Sequence, residues 1–266
     1  MNGNPILGAV ILAGGKRALD EKHNPDLPKM LEDLEGKPVL EHVIEAVRGM
    51  KHMSGIDKIT VIISSRFEEP LRDFLARYPA ISIAVQDGHR GTADAIQQAI
   101  EQRRYPDCDH LLVALADQPL IASEDFDGFY NQFLEDDPIM RAAVLAFREQ
   151  RWKPEFQKCA TVLRSGDGAF SELRTRLPIK EGDPAEQLHA GPYFFESRWL
   201  RGILRMLRPY VDHHEGEFHL YVPLVAARED TGVHVCESGH PDRFLGVDTR
   251  KALEEVRRRM RIRMTS

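Results

Sequence analysis

Seven consecutive apolar positions, Leu7–Ala13, end at Gly14-Gly15. A short run with no polar alternation predicts a strand buried on both faces. Similar runs return at residues 59–63, 81–85 and 111–116. Between them the apolar positions change period. Val39, Leu40, Val43, Ile44 and Val47 fall at helical spacing, as do Leu71, Phe74 and Leu75. Ala95, Ile96, Ala99 and Ile100 share one face of a helix predicted over residues 92–103. Strands alternating with helices of these lengths predict an α/β layer fold with a largely parallel central sheet.

The second half is less regular. Residues 142–147, 191–195 and 233–236 read as strands, and residues 199–207 and 220–227 as helices. A final helix begins at Thr249, a suitable cap. Residues 151–185 mix proline, glycine and charge and read as hairpins or loops. Residues 16–26, with Asn24-Pro25, form a polar loop ahead of Leu27-Pro28-Lys29.

Composition narrows the function classes. The chain has 266 residues, 42% hydrophobic and 29% charged, and a formal net charge of −6. That acidity disfavours general binding to nucleic acid or membrane surfaces, which relies on Lys and Arg. The run Arg257-Arg258-Arg259 therefore reads as the solvated face of the last helix. Cys108, Cys159 and Cys236 are far apart and form no CxxC pair, which disfavours a zinc or disulfide framework. No secretory signal is recognisable and no stretch approaches the roughly 20 apolar residues of a membrane helix, so a cytoplasmic protein is expected.

Candidate chemistry sits after the strands, because open α/β sheets bind ligands beyond their carboxyl ends. Leu12, Ala13, Gly14 and Gly15 form the first such site, where glycines let backbone N–H groups approach a phosphate or base. The loop is neither a GxxxxGK[ST] P-loop nor a GxGxxG fingerprint. Lys29 follows a conformationally fixed Pro28. Asp117 ends the most apolar strand, where a carboxylate is either a turn residue or a ligand for Mg²⁺, which takes one or two carboxylates plus substrate phosphates.

Taken together, these segments resemble the sugar-phosphate nucleotidyltransferase family, closest to its N-acetylglucosamine-1-phosphate uridylyltransferase (pyrophosphorylase) domain. The opening AVILAGGKR…DLPKMLEDLEGKPVLEHVIEAV resembles the family's Gly-rich loop, Pro-Lys step and turn into a helix. Gln86 to Ala93 resembles its base-binding Gln…Gly-Thr element, and LLVALADQPLI the strand carrying its metal aspartate. GEFHLYVPLVAA and Phe244 to Arg250 resemble two later elements, the second supplying the other metal ligand. The matches run in order from about residue 9 to 252.

The resemblance implies a three-layer α/β/α fold with a central mixed, mainly parallel, Rossmann-like sheet. It implies one nucleotidyltransferase domain over residues 1–266, with a nucleotide half to about 125 and an acceptor half beyond. The chain stops at Ser266, so no left-handed β-helix acetyltransferase domain is expected. Lys29 and Arg17 become candidate catalytic cations. Leu12, Ala13, Gly14, Gly15, Gln86, Gly91 and Thr92 become nucleotide-binding candidates, His189 and Gly191 acceptor-binding candidates, and Asp117 and Asp248 ligands of one Mg²⁺. UTP is the preferred triphosphate, because the Gln86 amide can donate and accept along a pyrimidine edge.

The sequence also departs from the family pattern. About three extra residues separate Gly14-Gly15-Lys16-Arg17 from Pro28-Lys29, and the sugar-binding Asn-Thr-Gly is replaced by His189-Ala190-Gly191. The expected activity is therefore Mg²⁺-dependent transfer of a nucleotidyl group to a sugar 1-phosphate, with N-acetylglucosamine 1-phosphate one such acceptor. The alternatives are transfer to a non-sugar phosphorylated acceptor, and a degenerate nucleotide-binding regulatory protein without turnover.

Overall fold

Strand β1 (Leu7–Ala13) runs through the middle of the molecule and is buried at all seven positions. The computed structural model describes residues 4–15, 19, 24–88, 90–135, 139–149, 156, 159–174, 186–207 and 217–265. In chain order β1 is followed by β2 (Asp33–Leu34), β3 (Lys37–Pro38), α1 (Val39–Arg48), β4 (Ile59–Ser64) and α2 (Glu68–Leu75). Then come β5 (Ser82–Gln86), α3 (Thr92–Glu101), β6 (His110–Leu115), α4 (Ser123–Glu135) and β7 (Ala142–Glu149). The last elements are β8 (Thr161–Arg164), β9 (Phe170–Arg174), β10 (Glu186–Glu196), α5 (Ser197–Leu207), α6 (Tyr221–Asp230), β11 (Val233–Ser238) and α7 (Arg250–Thr265).

The main sheet has the order β11-β7-β10-β6-β1-β4-β5. β5, β4, β1 and β6 are mutually parallel, and β11 is parallel to β7. β10 is antiparallel to both β6 and β7, so the sheet is mixed. The β8–β9 hairpin joins β10 at its far end. Alternation along β1 builds two layers of core. Leu7, Ala9, Ile11 and Ala13 pack with residues of α1, α2, α4 and α7, whereas Val10 and Leu12 pack with α3, α5 and α6. Burying both faces is what the unbroken apolar run requires.

Most elements fall where the apolar periods place them. The exception is α4, absent from the predicted elements although Phe126, Phe129, Tyr130 and Phe133 recur at helical spacing and bury against the sheet. β10 is also longer than predicted, and a register shift between His189 and Tyr193 interrupts its ladder with β7. Thr249 caps α7 through its hydroxyl, which accepts from Ala252 N at 3.1 Å. Among the described residues, no helix is long and apolar enough to cross a membrane.

The chain moves outward from β1 to β4 and β5, then returns to place β6 on the other side of β1. That reversal opens a crevice at the carboxyl ends of β1 and β6, the usual ligand position in such sheets.

Candidate active site

The reversal brings three distant segments together. Pro28 holds an extended backbone, φ −65° and ψ 143°, directly before a single turn of 3₁₀ helix over Lys29–Leu31. From that turn the Lys29 side chain crosses the mouth of the crevice. Its Nζ donates to Asp117 Oδ2 at 2.6 Å and to Asp248 Oδ1 at 2.9 Å. The ammonium is largely buried, Asp117 is about as sheltered, and Asp248 is the most open of the three. Burial alone would lower the Lys29 pKa. The charges and hydrogen bonds of the two carboxylates outweigh it and hold the group above the ordinary lysine range.

Asp117 follows β6, and its carbonyl accepts from Val247 N at 2.8 Å. That bond fixes the segment before α7 beside the end of β6 and delivers Asp248 to the crevice. Positions 131 apart in sequence therefore share one cation. Since both acceptor oxygens bond to one nitrogen, their separation cannot exceed the sum of those two lengths. Two carboxylates are hard-oxygen donors gathered around one cation, the donor chemistry that suits Mg²⁺ with substrate oxygens completing its shell. No cluster of three or more His, Cys, Asp or Glu residues suited to a metal occurs among the described residues.

Two cavities open from this point. One, of about 270 Å³, is lined by Leu12, Gly14, Gly15, Lys29, Gln86, Gly91, Thr92 and Asp117, with Met30, Ala95, Leu115 and Glu217. It gathers most of the residues singled out for the nucleotide. Ala13 is the exception in β1, packing into the core of the opposite sheet face. The other cavity, of about 1200 Å³, includes Asp117, Gln118, His189, Gly191, Gly246 and Asp248 in its wall. Asp117 and Leu115 line both, so the cavities meet at Asp117. Arg257, Arg258 and Arg261 line the larger one, with Arg257 and Arg258 also paired with Glu254 and Glu255. The arginine run therefore faces a cavity as well as solvent. Arg17 lies outside the described residues.

Local geometry explains the glycines. A Cβ on Gly14 would lie 2.6 Å from Gln86 Oε1, so the bare Gly14 makes room for that amide. Gly91 has φ +102°, and a Cβ there would lie 2.6 Å from the carbonyl carbon of Phe218. The space kept clear at Gly91 is thus filled by backbone. Phe218 O accepts from Ala93 N at 2.9 Å and from Asp94 N at 3.2 Å, capping α3. Thr92 Oγ1 accepts from Leu220 N at 3.0 Å. Gln86 Nε2 donates to Gly91 O at 2.9 Å, so part of its amide is spent holding the pocket.

His189 sits in the interrupted part of β10. Burial lowers its pKa to about 4, offset only in part by a hydrogen bond with the Pro192 backbone, so the ring is neutral near pH 7. Its Nε2 is buried and without a protein partner, as is Gln118 Oε1. Gln118 was not among the residues singled out from sequence. The only signal was its place beside Asp117. Met30 and Glu217 are likewise additions made by the fold.

A layered α/β/α sheet thus places two cavities that meet at a lysine-bridged carboxylate pair. The profile of the MobA-like NTP transferase domain matches residues 9–258. The chain belongs to that family. It is 27% identical over 222 residues to the bifunctional protein GlmU of Desulfitobacterium hafniense, covering 81% of this chain and 43% of that one. It is also 27% identical over 265 residues to the bifunctional protein GlmU of Desulfotalea psychrophila, covering 98% of this chain and 72% of that one. The chain thus spans less than half the length of the D. hafniense relative.

Solved structures agree on the fold. CMP:2-keto-3-deoxy-manno-octonic acid synthetase complexed with CTP superposes with a TM-score of 0.66 at 20% identity, covering 97% of this chain and 99% of that one. The 4-diphosphocytidyl-2C-methyl-D-erythritol synthase of Anaerococcus prevotii does so with 0.61 at 15% identity, covering 96% and 98%.

Proposed function

We propose that the chain transfers a nucleotidyl group from a nucleoside triphosphate to a phosphorylated small molecule, with residues 1–266 acting as one nucleotidyltransferase domain. The observation that carries this reading is the meeting of the two cavities at Asp117. The smaller cavity takes the triphosphate and the larger the acceptor. An acceptor phosphate oxygen attacks the α-phosphorus, the bond from that phosphorus to the bridging oxygen breaks, and pyrophosphate leaves with the electron pair. The attacking phosphate is already ionised near pH 7, so the site needs alignment and positive charge more than a base.

We assign Lys29 to hold phosphate oxygens once it leaves the carboxylates, with Arg17 as the second cation for that task. Asp117 and Asp248 would hold Mg²⁺. When bound, that ion supplies Lewis-acid charge on the phosphate oxygens. Leu12, Gly14 and Gly15 line the smaller cavity along the end of β1, with Gln86, Gly91 and Thr92 also in its wall, while Ala13 supports that edge from the opposite face of the sheet. His189 and Gly191 belong to the acceptor wall. UTP and a sugar 1-phosphate, N-acetylglucosamine 1-phosphate included, are the substrates we favour, in a cytoplasmic setting. The replacement of the sugar-binding Asn-Thr-Gly by His189-Ala190-Gly191 favours a non-sugar phosphorylated acceptor as the second reading. Pyrophosphate release over a grid of triphosphates and phosphorylated acceptors tests both. Release that needs a triphosphate and an acceptor together supports transfer, whereas nucleotide binding with no release for any pair removes it.

A further inference from the structure

We propose that Gln118 is a positioning residue that sets the separation of Asp117 and Asp248, and with it the junction between the two cavities. Gln118 is buried, and its Nε2 donates to Ala190 O at 2.6 Å and to Phe244 O at 3.1 Å. Two carbonyl partners fix the amide orientation, because only the nitrogen can donate. One side chain thus ties the end of β6 to the interrupted part of β10, 72 positions away, and to the turn before α7, 126 positions away.

The second tie is one residue earlier in the chain. Asp117 O accepts from Val247 N at 2.8 Å. The 117–118 step therefore grips the 244–248 segment at two points, Phe244 and Val247. Asp248, whose carboxylate reaches Lys29, comes directly after the second grip. Between the grips, a Cβ on Gly246 would lie 3.8 Å from the Asp117 carboxylate, so the segment runs close past it. β10 is shaped to receive the amide. Gly191 has φ +111°, and a Cβ there would lie 2.5 Å from Gln118 Oε1 and 2.8 Å from its Nε2.

Gln118 holds this position at a cost, since its buried Oε1 has no protein partner. The turn has its own anchor in the core, where the buried Phe244 ring stacks on Phe147 at 5.7 Å. An apolar residue at 118 would keep the fold. What it would lose is the pair of donors that place Asp248 against Asp117.

This inference rests on the nucleotidyltransferase reading, so its test uses a step that needs no acceptor. Mn²⁺ binding is followed by electron paramagnetic resonance in the presence of a non-hydrolysable triphosphate, alongside thermal unfolding. Gln118→Leu should weaken Mn²⁺ binding about tenfold or more, as loss of groups that orient metal ligands does, with a melting temperature close to that of the natural chain. Gly191→Ala, which presses on the same amide from β10, should weaken it in the same direction. If Gln118→Leu does not fold, Gln118→Met carries the measurement. In turnover, kcat should fall while the KM for the triphosphate holds. Variants that bind Mn²⁺ as the natural chain does would overturn the proposal. A natural chain that binds no Mn²⁺ with the triphosphate would instead remove the shared-cation reading, and the proposal with it.

Discussion

Lys29 and Asp248 lie 219 positions apart, yet the lysine ammonium donates to the aspartate at 2.9 Å while also bonding Asp117. The lysine neutralises part of a carboxylate pair that would otherwise repel. A divalent cation would compete with this ammonium for the same oxygens. A bound triphosphate would offer Lys29 a new anionic partner and free the pair.

Lys29→Ala should therefore separate two quantities. Turnover should fall on the order of 10²–10³-fold, the usual loss for one transition-state charge contact. Mn²⁺ affinity of the triphosphate-free chain should rise, since the pair no longer has its ammonium. Titration followed by electron paramagnetic resonance reads the second effect. A variant whose free-chain affinity stayed at or below the natural value would show that the ammonium does not compete.

Asp117→Asn and Asp248→Asn should each remove most pyrophosphate release. Partial recovery is expected with Mn²⁺ or raised Mg²⁺, because the remaining carboxylate and the substrate oxygens still bind the ion. Retention of near-natural rates by Asp248→Asn would leave Asp117 as the sole protein ligand.

Gly91→Ala and Gly128→Ala should act in opposite directions. Gly91 combines φ +102° with the Phe218 backbone against its Cα, so the substitution should cost about 2 kcal/mol or more. Gly128 lies within α4 with nothing near its Cβ position, and alanine there should stabilise by up to about 1 kcal/mol. Denaturant midpoints give both values. A neutral Gly91→Ala would mean that the Phe218 segment yields easily.

His189 gives a pH signature. Its pKa is lowered by burial from 6.5 to about 4, so the folded chain resists protonation that the unfolded chain accepts. Its neutral form carries no penalty above pH 6.5. The penalty grows as pH falls from 6.5 and levels off below about 4, reaching about 3 kcal/mol from the size of that shift. Unfolding free energies of the natural chain and His189→Gln should thus converge in slope above pH 7, and the natural chain should lose more between 6.5 and 4. Equal losses in that window would contradict a buried neutral ring.

How far the sequence discloses this arrangement differs between its parts. β1, β4 and β6 are legible because full burial demands unbroken apolar runs. Asp117 is legible because a carboxylate directly after such a strand stands out. The approach of Asp248 is not, since it depends on the hydrogen bond from Val247 N to Asp117 O, and no local pattern encodes that pairing. The Gly91 element is legible as an approach to the smaller cavity, whereas the close pass of the Phe218 backbone behind Gly91 is not. Gln118 is silent for the same reason: its two carbonyl partners come from strands and turns far along the chain. The α4 helix, by contrast, is missed although the spacing of Phe126, Phe129, Tyr130 and Phe133 carries the helical period.

We propose that an acceptor in the larger cavity attacks a triphosphate in the smaller one beside Asp117. Phosphorus-31 nuclear magnetic resonance of the purified chain with UTP, a sugar 1-phosphate and Mg²⁺ tests it most directly. Pyrophosphate should appear together with a new diphosphate linkage containing the acceptor phosphorus, and neither should appear with Asp117→Asn. Conversion of the triphosphate to monophosphate with the acceptor signal unchanged, or an Asp117→Asn variant that forms the linkage at the natural rate, would contradict it.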